Sequence, residues 1–374
     1  MTTTAIETAG SLDQATLDAL REGVAGVLAE QSGSTAVHAF IDGKNSLDRE
    51  LWSQAASLGW LGFGIPEQYG GLGLGHHGLA ILHAELGRQA APGPYLPTLS
   101  AAQTIVETGT EAARKAWLPR IASGEINAAV PATLPPPLGA TALTWSGAGV
   151  SGTRRCLGAR DAAFVLAPAG GAWVIVELAG ADVSATPMWD RTREVIDIRL
   201  QDTKPAAVLE DREGTSGALV RAMALATAAD SCGAARSVTE RTIAYMKTRE
   251  QFGQPIAGFQ ALKHRAADLA TKLAVMDEMV AHAIHRVVAD EPDADIWASL
   301  AKAEVTEAFV FIATDCVQLH GGVGFTWDYD PQIFLKRARL NEVLVMANPA
   351  LRDRAAAGLA AVTRAGRYAL ELGL

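Results

Sequence analysis

Two long runs of helical periodicity meet at residues 245–260, and that junction limits what the chain can become. The first run is Ala-rich and starts near Ser216. The second carries apolar residues at Leu262, Ala266, Leu269, Leu273, Met276, Val280, Ala283 and Val287. Spacings of four and three alternate through it, which is the seam of a helix bundle. Between the runs Gly253 and Pro255 force a turn, because glycine accepts unusual dihedrals and proline cannot continue a hydrogen-bonded ladder. Pro292 closes the second helix. A third is expected from Asp295 to Leu319, stopped by Gly321-Gly322, and a fourth from Pro331 to Met346; Pro349 sets off a short C-terminal helix. Four antiparallel helices predict a bundle. The hinge presents one cation, Arg249, and one aromatic, Phe252, a pair that suits the phosphate and base of a dinucleotide.

Residues 1 to about 120 also read as mostly helical. Asp48 and its neighbours offer a capped start ahead of Leu51, Trp52, Ala55 and Leu58, and further helices are expected at His77–Gln89 and Glu107–Ala122. The string Gly73-Leu74-Gly75-His76-His77-Gly78 matches a dinucleotide fingerprint in letters alone. That fingerprint needs a strand feeding its loop, and Pro66 with Gly70-Gly71 stands there instead. His76 and His77 are adjacent, so on a helix they cannot face one metal; both read as solvated. After Gly124 the periodicity stops. Short β-prone runs follow at Ala142–Trp145, Ala163–Leu166, Ala172–Leu178, Val195–Leu200 and Ala206–Leu209, with Ala167-Pro168-Ala169-Gly170-Gly171 as a hairpin turn. The expected class is α+β, with an N-terminal helical domain at 1–124, a middle β domain at 125–212 and a C-terminal helical bundle at 213–374.

At 374 residues, 49% of them hydrophobic and 20% charged, the chain can bury the cores of two or three domains. A net charge of −9 argues against nucleic acid or an anionic membrane as partner. No basic-then-apolar leader opens the sequence, and the best apolar run, Ala222–Ala235, is interrupted by Asp230. Cys156, Cys232 and Cys316 are too scattered for a disulfide framework or a metal site. A soluble cytoplasmic protein is expected, without membrane insertion and without a metal.

The stretch from Tyr245 to Gln260 resembles a signature of the acyl-CoA dehydrogenase family. Gln318-Leu319-His320-Gly321-Gly322-Val323-Gly324-Phe325 resembles a second, and the loop Gly62–Gly73 is similar to a third. The resemblance runs essentially the full length and implies that family's helix–β–helix architecture. It implies FAD, bound in extended form between β domain and bundle, and an acyl-CoA thioester as substrate. A carboxylate would remove the α-proton while the β-hydrogen leaves as hydride. By resemblance Arg249, Gln251, Phe252, Ile256 and Gln260 would reach the FAD of a neighbouring subunit, and Gln318, Gly321 and Gly322 would line its ADP portion.

Other positions depart from the family pattern. Its Thr-Glu-Pro segment has Thr133-Leu134-Pro135 as counterpart, lacking the glutamate. Cys156 stands where a tryptophan is usual, and Gly158 where a hydroxyl is usual. Counting from Gly321-Gly322 through Lys336-Arg337-Ala338-Arg339, the usual catalytic glutamate position holds Val345. Counting back from Arg249, the alternative position holds Met223. Neither can accept a proton, and Glu342, three residues before Val345, is the fallback base. The chain therefore resembles the subunit lacking the catalytic glutamate in heterotetrameric (α2β2) acyl-CoA dehydrogenases, which are associated with bulky acyl-CoAs, including steroid side chains. Two alternatives stay open: a self-sufficient homotetramer using Glu342 or another carboxylate, and a flavin-free scaffold or binding protein on the same fold. Electron-transfer flavoprotein is the acceptor the family implies.

Overall fold

The computed structural model describes residues 13–43, 45–135, 142–209 and 212–364. Helices open the chain: α1 (Gln14–Gln31), α2 (Ser34–Asp42), α3 (Arg49–Ser57), α4 (Gly75–Arg88), α5 (Tyr95–Thr108) and α6 (Glu111–Ala122). Strands follow: β1 (Ala128–Pro131), β2 (Thr144–Trp145), β3 (Val150–Leu157), β4 (Phe164–Ala169), β5 (Ala172–Glu177), β6 (Asp182–Thr186), β7 (Val195–Thr203) and β8 (Ala207–Leu209). The rest is helical apart from one small hairpin: α7 (Arg212–Thr248), β9 (Glu250–Gln251), β10 (Gln254–Pro255), α8 (Gln260–Val288), α9 (Ala294–His320), α10 (Pro331–Val343) and α11 (Asn348–Arg364).

The sheet runs β6-β7-β3-β1-β4-β5-β8, with β2 added against β3. Every pairing is antiparallel except β1 with β4. Both faces are covered. Phe164, Leu166, Trp173 and Ile175 pack toward the helices, while Val165, Ala167, Val174 and Val176 form a separate core on the opposite face. Strict alternation between two buried faces is why β4 and β5 read as continuous apolar runs. β1, β3 and β6 escaped the sequence reading. β1 is too short to show a pattern, and β3 and β6 carry polar residues.

Expectations for the helices need five corrections. Glu107 belongs to α5, not to α6, which starts at Glu111 behind the N-cap of Thr110. α5 went unseen because every residue from Tyr95 to Val106 is buried, leaving no amphipathic stripe to detect. α10 ends at Val343, three residues short of Met346, and α11 is a long helix starting at Asn348. Finally, α9 rather than Ala222–Ala235 is the most membrane-like run: Ala294–Phe325 is apolar and long enough to span a bilayer by composition alone. It is the central helix of the bundle, packed by α7, α8, α10 and α11.

α4 and α7 cross with their backbones touching. A Cβ on Gly87 would sit 2.0 Å from Asp230 O, and one on Gly233 1.7 Å from Ala84 O, so neither position admits a side chain. Beside this crossing lies a buried ionic cluster. Arg337 on α10 donates to Asp230 on α7 through Nε (3.2 and 3.1 Å) and Nη2 (2.5 Å), and through Nη1 to Thr192 Oγ1 (2.9 Å) and Ala91 O (3.3 Å). Asn341 Nδ2 donates to Asp230 Oδ2 at 2.8 Å, and Arg193 is held by Asp190 at 3.0 Å. Burial would raise the Asp230 carboxyl, but Arg337 and Arg193 outweigh it and bring it from 3.8 to about 2.

Removing one partner of such a pair leaves an uncompensated buried charge. Arg337→Ala should cost about 3–5 kcal/mol in urea unfolding. Asp230 has a folded pKa below its unfolded value, so its contribution is complete above 3.8 and is lost as pH falls through about 2. Acid unfolding of the wild type should therefore be steeper across that window than that of Asp230→Asn.

Candidate functional site

α7 ends one turn beyond Tyr245, whose ring stacks on His320 at the end of α9 (4.3 Å between centroids, 16° between planes). That contact brings the two sequence motifs to the same end of the bundle. Between α7 and α8 the chain forms a tight β-hairpin, with Gln251 paired to Gln254 and Glu250 to Pro255. Its two tip residues, Phe252 and Gly253, have φ of +54° and +79°. Two successive positive φ values are what a two-residue turn needs to follow strand twist, and Asn-Gly is the usual solution. Phenylalanine is a costly choice there, and its ring is 93% exposed, touching Phe259 edge-on at 6.1 Å.

Arg249, Gln251 and Gln260 are exposed around this tip, and Ile256 is half-buried against the bundle core. Gln251 Nε2 donates to the neighbouring Glu250 O, and Gln260 Nε2 lies 3.0 Å from His264 Nε2. Gln318 is exposed at the last turn of α9. Gly321 adopts φ +68°, and added Cβ atoms on Gly321 and Gly322 would meet nothing within 4 Å. The predicted binding residues thus form an open, polar, glycine-floored surface with an exposed cation and aromatic, which fits an extended dinucleotide.

The positions expected to carry this chain's own base are closed. Val345 and Met223 are both 0% exposed and share one apolar cluster with Leu134, Ala132 and Leu344. Val345 N donates to Ala132 O (2.9 Å), Leu134 N donates to Val345 O (2.6 Å), and Thr133 pairs with Val345 as an isolated parallel bridge. Glu342 remains at the end of α10, while Val345 lies outside the helix with φ +69°. The two residues are therefore not one turn apart on a single helix, as the expected helix from Pro331 to Met346 would have placed them. The Glu342 carboxylate pairs with Arg339 at 3.1 Å. Cys156 faces the enclosed core of the sheet, where burial pushes its thiol up to about 12. A Cβ on Gly158 would lie 2.6 Å from Ala129 Cβ, so that position cannot carry a hydroxyl without moving β1. The residues on this side do not fit a flavin ring.

His76 and His77 are not solvated, contrary to expectation. His76 Nε2 lies 3.3 Å from Glu107 Oε1, and burial lowers the pKa of half-buried His77. Burial would raise the Glu107 carboxyl, but His76 and Arg221 outweigh it and hold it near 2. Arg221 also reaches Asp295 at 2.7 Å. This polar knot joins α4, α5, α7 and α9, and no sequence spacing announces it.

Residues 14–125 match the model of the acyl-CoA dehydrogenase N-terminal domain, and residues 218–358 that of its C-terminal domain. IpdE2 of Mycobacterium tuberculosis, an acyl-CoA dehydrogenase, is 31% identical over 85% of this chain and 89% of its own length. The chain belongs to the acyl-CoA dehydrogenase family. FadE34 of the same organism is also 31% identical over 85% of this chain, which spans 43% of FadE34's length. Among solved structures, a variant of the Tcur3481-Tcur3483 steroid ACAD matches with TM-score 0.85 and 25% identity, covering 93% of this chain and 98% of that one. The ChsE4-ChsE5 complex from Mycobacterium tuberculosis matches with TM-score 0.83 and 24% identity, covering 94% and 98%.

If the acyl-CoA dehydrogenase hairpin keeps Phe252 for a ligand at the expense of its own turn, Phe252→Asn should separate the two. Unfolding free energy in urea should hold or rise, by up to about 1 kcal/mol, since asparagine tolerates the left-handed region. Retention of flavin by the assembled protein should fall.

Proposed function

We propose that this chain is the base-lacking subunit of a heterotetrameric, FAD-dependent acyl-CoA dehydrogenase, lending its hairpin to a flavin seated on a partner subunit. One observation carries the reading: both positions available to the base hold buried apolar residues, Val345 and Met223, while the hairpin stays exposed and undamaged. The names of the Tcur3481-Tcur3483 and ChsE4-ChsE5 structures, each of two proteins, support a hetero-oligomer.

FAD, when bound, accepts the hydride from the β-carbon of the acyl-CoA. This chain's part is to hold it. Arg249 binds a phosphate, Phe252 packs on the base, and Gln251, Ile256 and Gln260 line the approach. Gln318 contributes an amide, and Gly321-Gly322 lets backbone come close. The α-proton goes to a carboxylate on the partner, because no acid on this chain replaces Val345 or Met223. Glu342, paired with Arg339, takes no part. We assign the substrate to bulky acyl-CoAs such as steroid side-chain thioesters, the acceptor to an electron-transfer flavoprotein, and the location to the cytoplasm.

The test is a dye-coupled assay over a panel of acyl-CoAs. The isolated chain should be nearly colourless and inactive, since general-base catalysis supplies about 10²–10⁴-fold. Activity should appear on co-expression with a partner carrying the glutamate, and Glu342→Gln should leave it unchanged. Robust turnover by the isolated chain would overturn the reading. In the active assembly Arg249→Ala removes a charge-assisted contact of about 1.5–3 kcal/mol. FAD should then be held roughly 10- to 150-fold more weakly by equilibrium dialysis.

A further inference from the structure

We infer that Trp189, Arg191, Trp327 and Lys336 form one docking surface, and that the partner subunit reached by the hairpin covers it with an acidic, indole-accepting face. The inference rests on the base-lacking reading and deepens it, because it says how the partner is gripped as well as what it supplies.

The loop between β6 and β7 presents two side chains and buries their neighbours. Asp190 and Thr192 are buried, while Trp189 and Arg191, which alternate with them, are exposed. The buried pair is clamped. Asp190 Oδ1 accepts from Thr192 N (2.9 Å) and Thr192 Oγ1 (2.6 Å), and its Oδ2 accepts from Arg193 Nε (3.3 Å) and Nη2 (3.0 Å). Gly93 N donates to Thr192 O at 3.0 Å, and Arg337 Nη1 donates to Thr192 Oγ1 at 2.9 Å. With its alternate residues fixed in the core, the loop holds Trp189 out at 80% exposure. A single exposed aromatic needs no explanation. A rigidly presented indole beside a guanidinium does. These are the side chains that dominate protein interfaces, and a fixed backbone leaves less ordering cost to meet on binding.

The connection between α9 and α10 supplies the other half. Trp327 is 52% exposed, and Lys336 Nζ lies 4.5 Å from its ring centroid. Burial lowers the pKa of the Lys336 ammonium and the charge of Arg191 lowers it further, so the two cations stand close enough to repel. Asp190 opposes this, but both its oxygens are already taken by Thr192 and Arg193. Neither cation makes an ion pair among the described residues, and neither pairs with Asp328, the exposed acid that follows Trp327. Two unneutralised cations are thus gathered on a chain of net charge −9, and their complement is a set of carboxylates from outside.

The patch is continuous with the hairpin surface. The connection that carries Trp327 also carries Gly321, Gly322 and Tyr329. The Tyr329 ring meets Tyr245 and His320 edge-on, at 5.7 and 5.8 Å between centroids, and Tyr245 lies one turn before the hairpin. A subunit that brings its flavin to Arg249 and Gly321 therefore meets Trp327 in the same approach.

The experiment is hydroxyl-radical footprinting of the isolated chain and of the co-expressed assembly, with oxidation of Trp189 and Trp327 read by mass spectrometry. Both should be oxidised in the isolated chain and at least about 5-fold less in the assembly. Unchanged oxidation in the assembly would show the patch open. Protection already present in the isolated chain would mean that a second copy covers it, and protection on adding FAD or CoA would assign it to a nucleotide. Each of these three results would overturn the inference. Trp189→Ser and Arg191→Glu should leave the isolated chain's melting curve unchanged and weaken assembly at least about 10-fold in sedimentation. The Arg191→Glu deficit should shrink at high salt. Wild-type assembly by both variants would also overturn the inference. None of these outcomes touches the base-lacking reading, which fails only if the isolated chain turns over acyl-CoA.

Discussion

The Asp230 carboxylate, sunk between Arg337 and Arg193, ties the three layers of the molecule together. Asp230 belongs to α7, Arg337 and Asn341 to α10, and Arg193 to the loop before β7, while Ala91 and Thr192 accept or relay from the remaining sides. Two acids and two guanidinium groups balance within the cluster, so the charges can be buried. A buried ion pair adds little net stability over good apolar packing. What it adds is position, because each donor has one geometry that satisfies it. With Arg337 and Asn341 one helical turn apart on α10, that helix can neither rotate nor slide. Its last residue, and hence the place where Val345 emerges, follow from this constraint.

Much of this plan was legible in the residues, and the failures have physical causes. α8 showed its seam because one side of it meets water. α5 showed none because water meets almost none of it. The hinge at Gly253 and Pro255 could be placed, but its form could not. A phenylalanine in the left-handed region runs against every local preference, so no propensity argument would put it there. The assignment of Val345 to the expected base position rests on counting from the glycines that end α9. Its closure could not be counted out, since it depends on Ala132 and Leu134 far earlier in the chain. The His76–Glu107–Arg221 contacts were equally invisible, because pairing across helices leaves no trace in sequence spacing.

The exposed hairpin and the buried turn at Val345 differ in kind, and the contrast is informative. At the hairpin the chain keeps a strained, exposed aromatic beside a cation, Arg249, with no ion-pair partner among the described residues. Neither helps the isolated chain fold, and exposing a large ring to water is unfavourable. At the β1 edge Ala132 O, Thr133 O and Leu134 N are hydrogen-bonded, and Ala132, Leu134, Leu344 and Val345 are buried. A chain that had simply lost its ligand would be expected to relax at both ends. Phe252 is strained and exposed, whereas Val345, strained as well, is buried and hydrogen-bonded; on the base-lacking reading this points to a division of labour.

That division also accounts for the kind of residue found at the closed end. Losing the carboxylate alone would leave a cleft with a bare strand edge, and such an edge needs partners. Val345 supplies them through its backbone, and its side chain joins Met223 and Leu134 in filling the space. Val345 and Met223, the two positions where the resemblance expects a base, are both hydrophobic, as the packing of one continuous cluster requires. A polar but non-basic replacement at either position would be buried without a partner at a cost of about 1–3 kcal/mol. On the base-lacking reading, this packing is what makes the absence of the acid stable, and the open hairpin is what leaves the chain something to contribute.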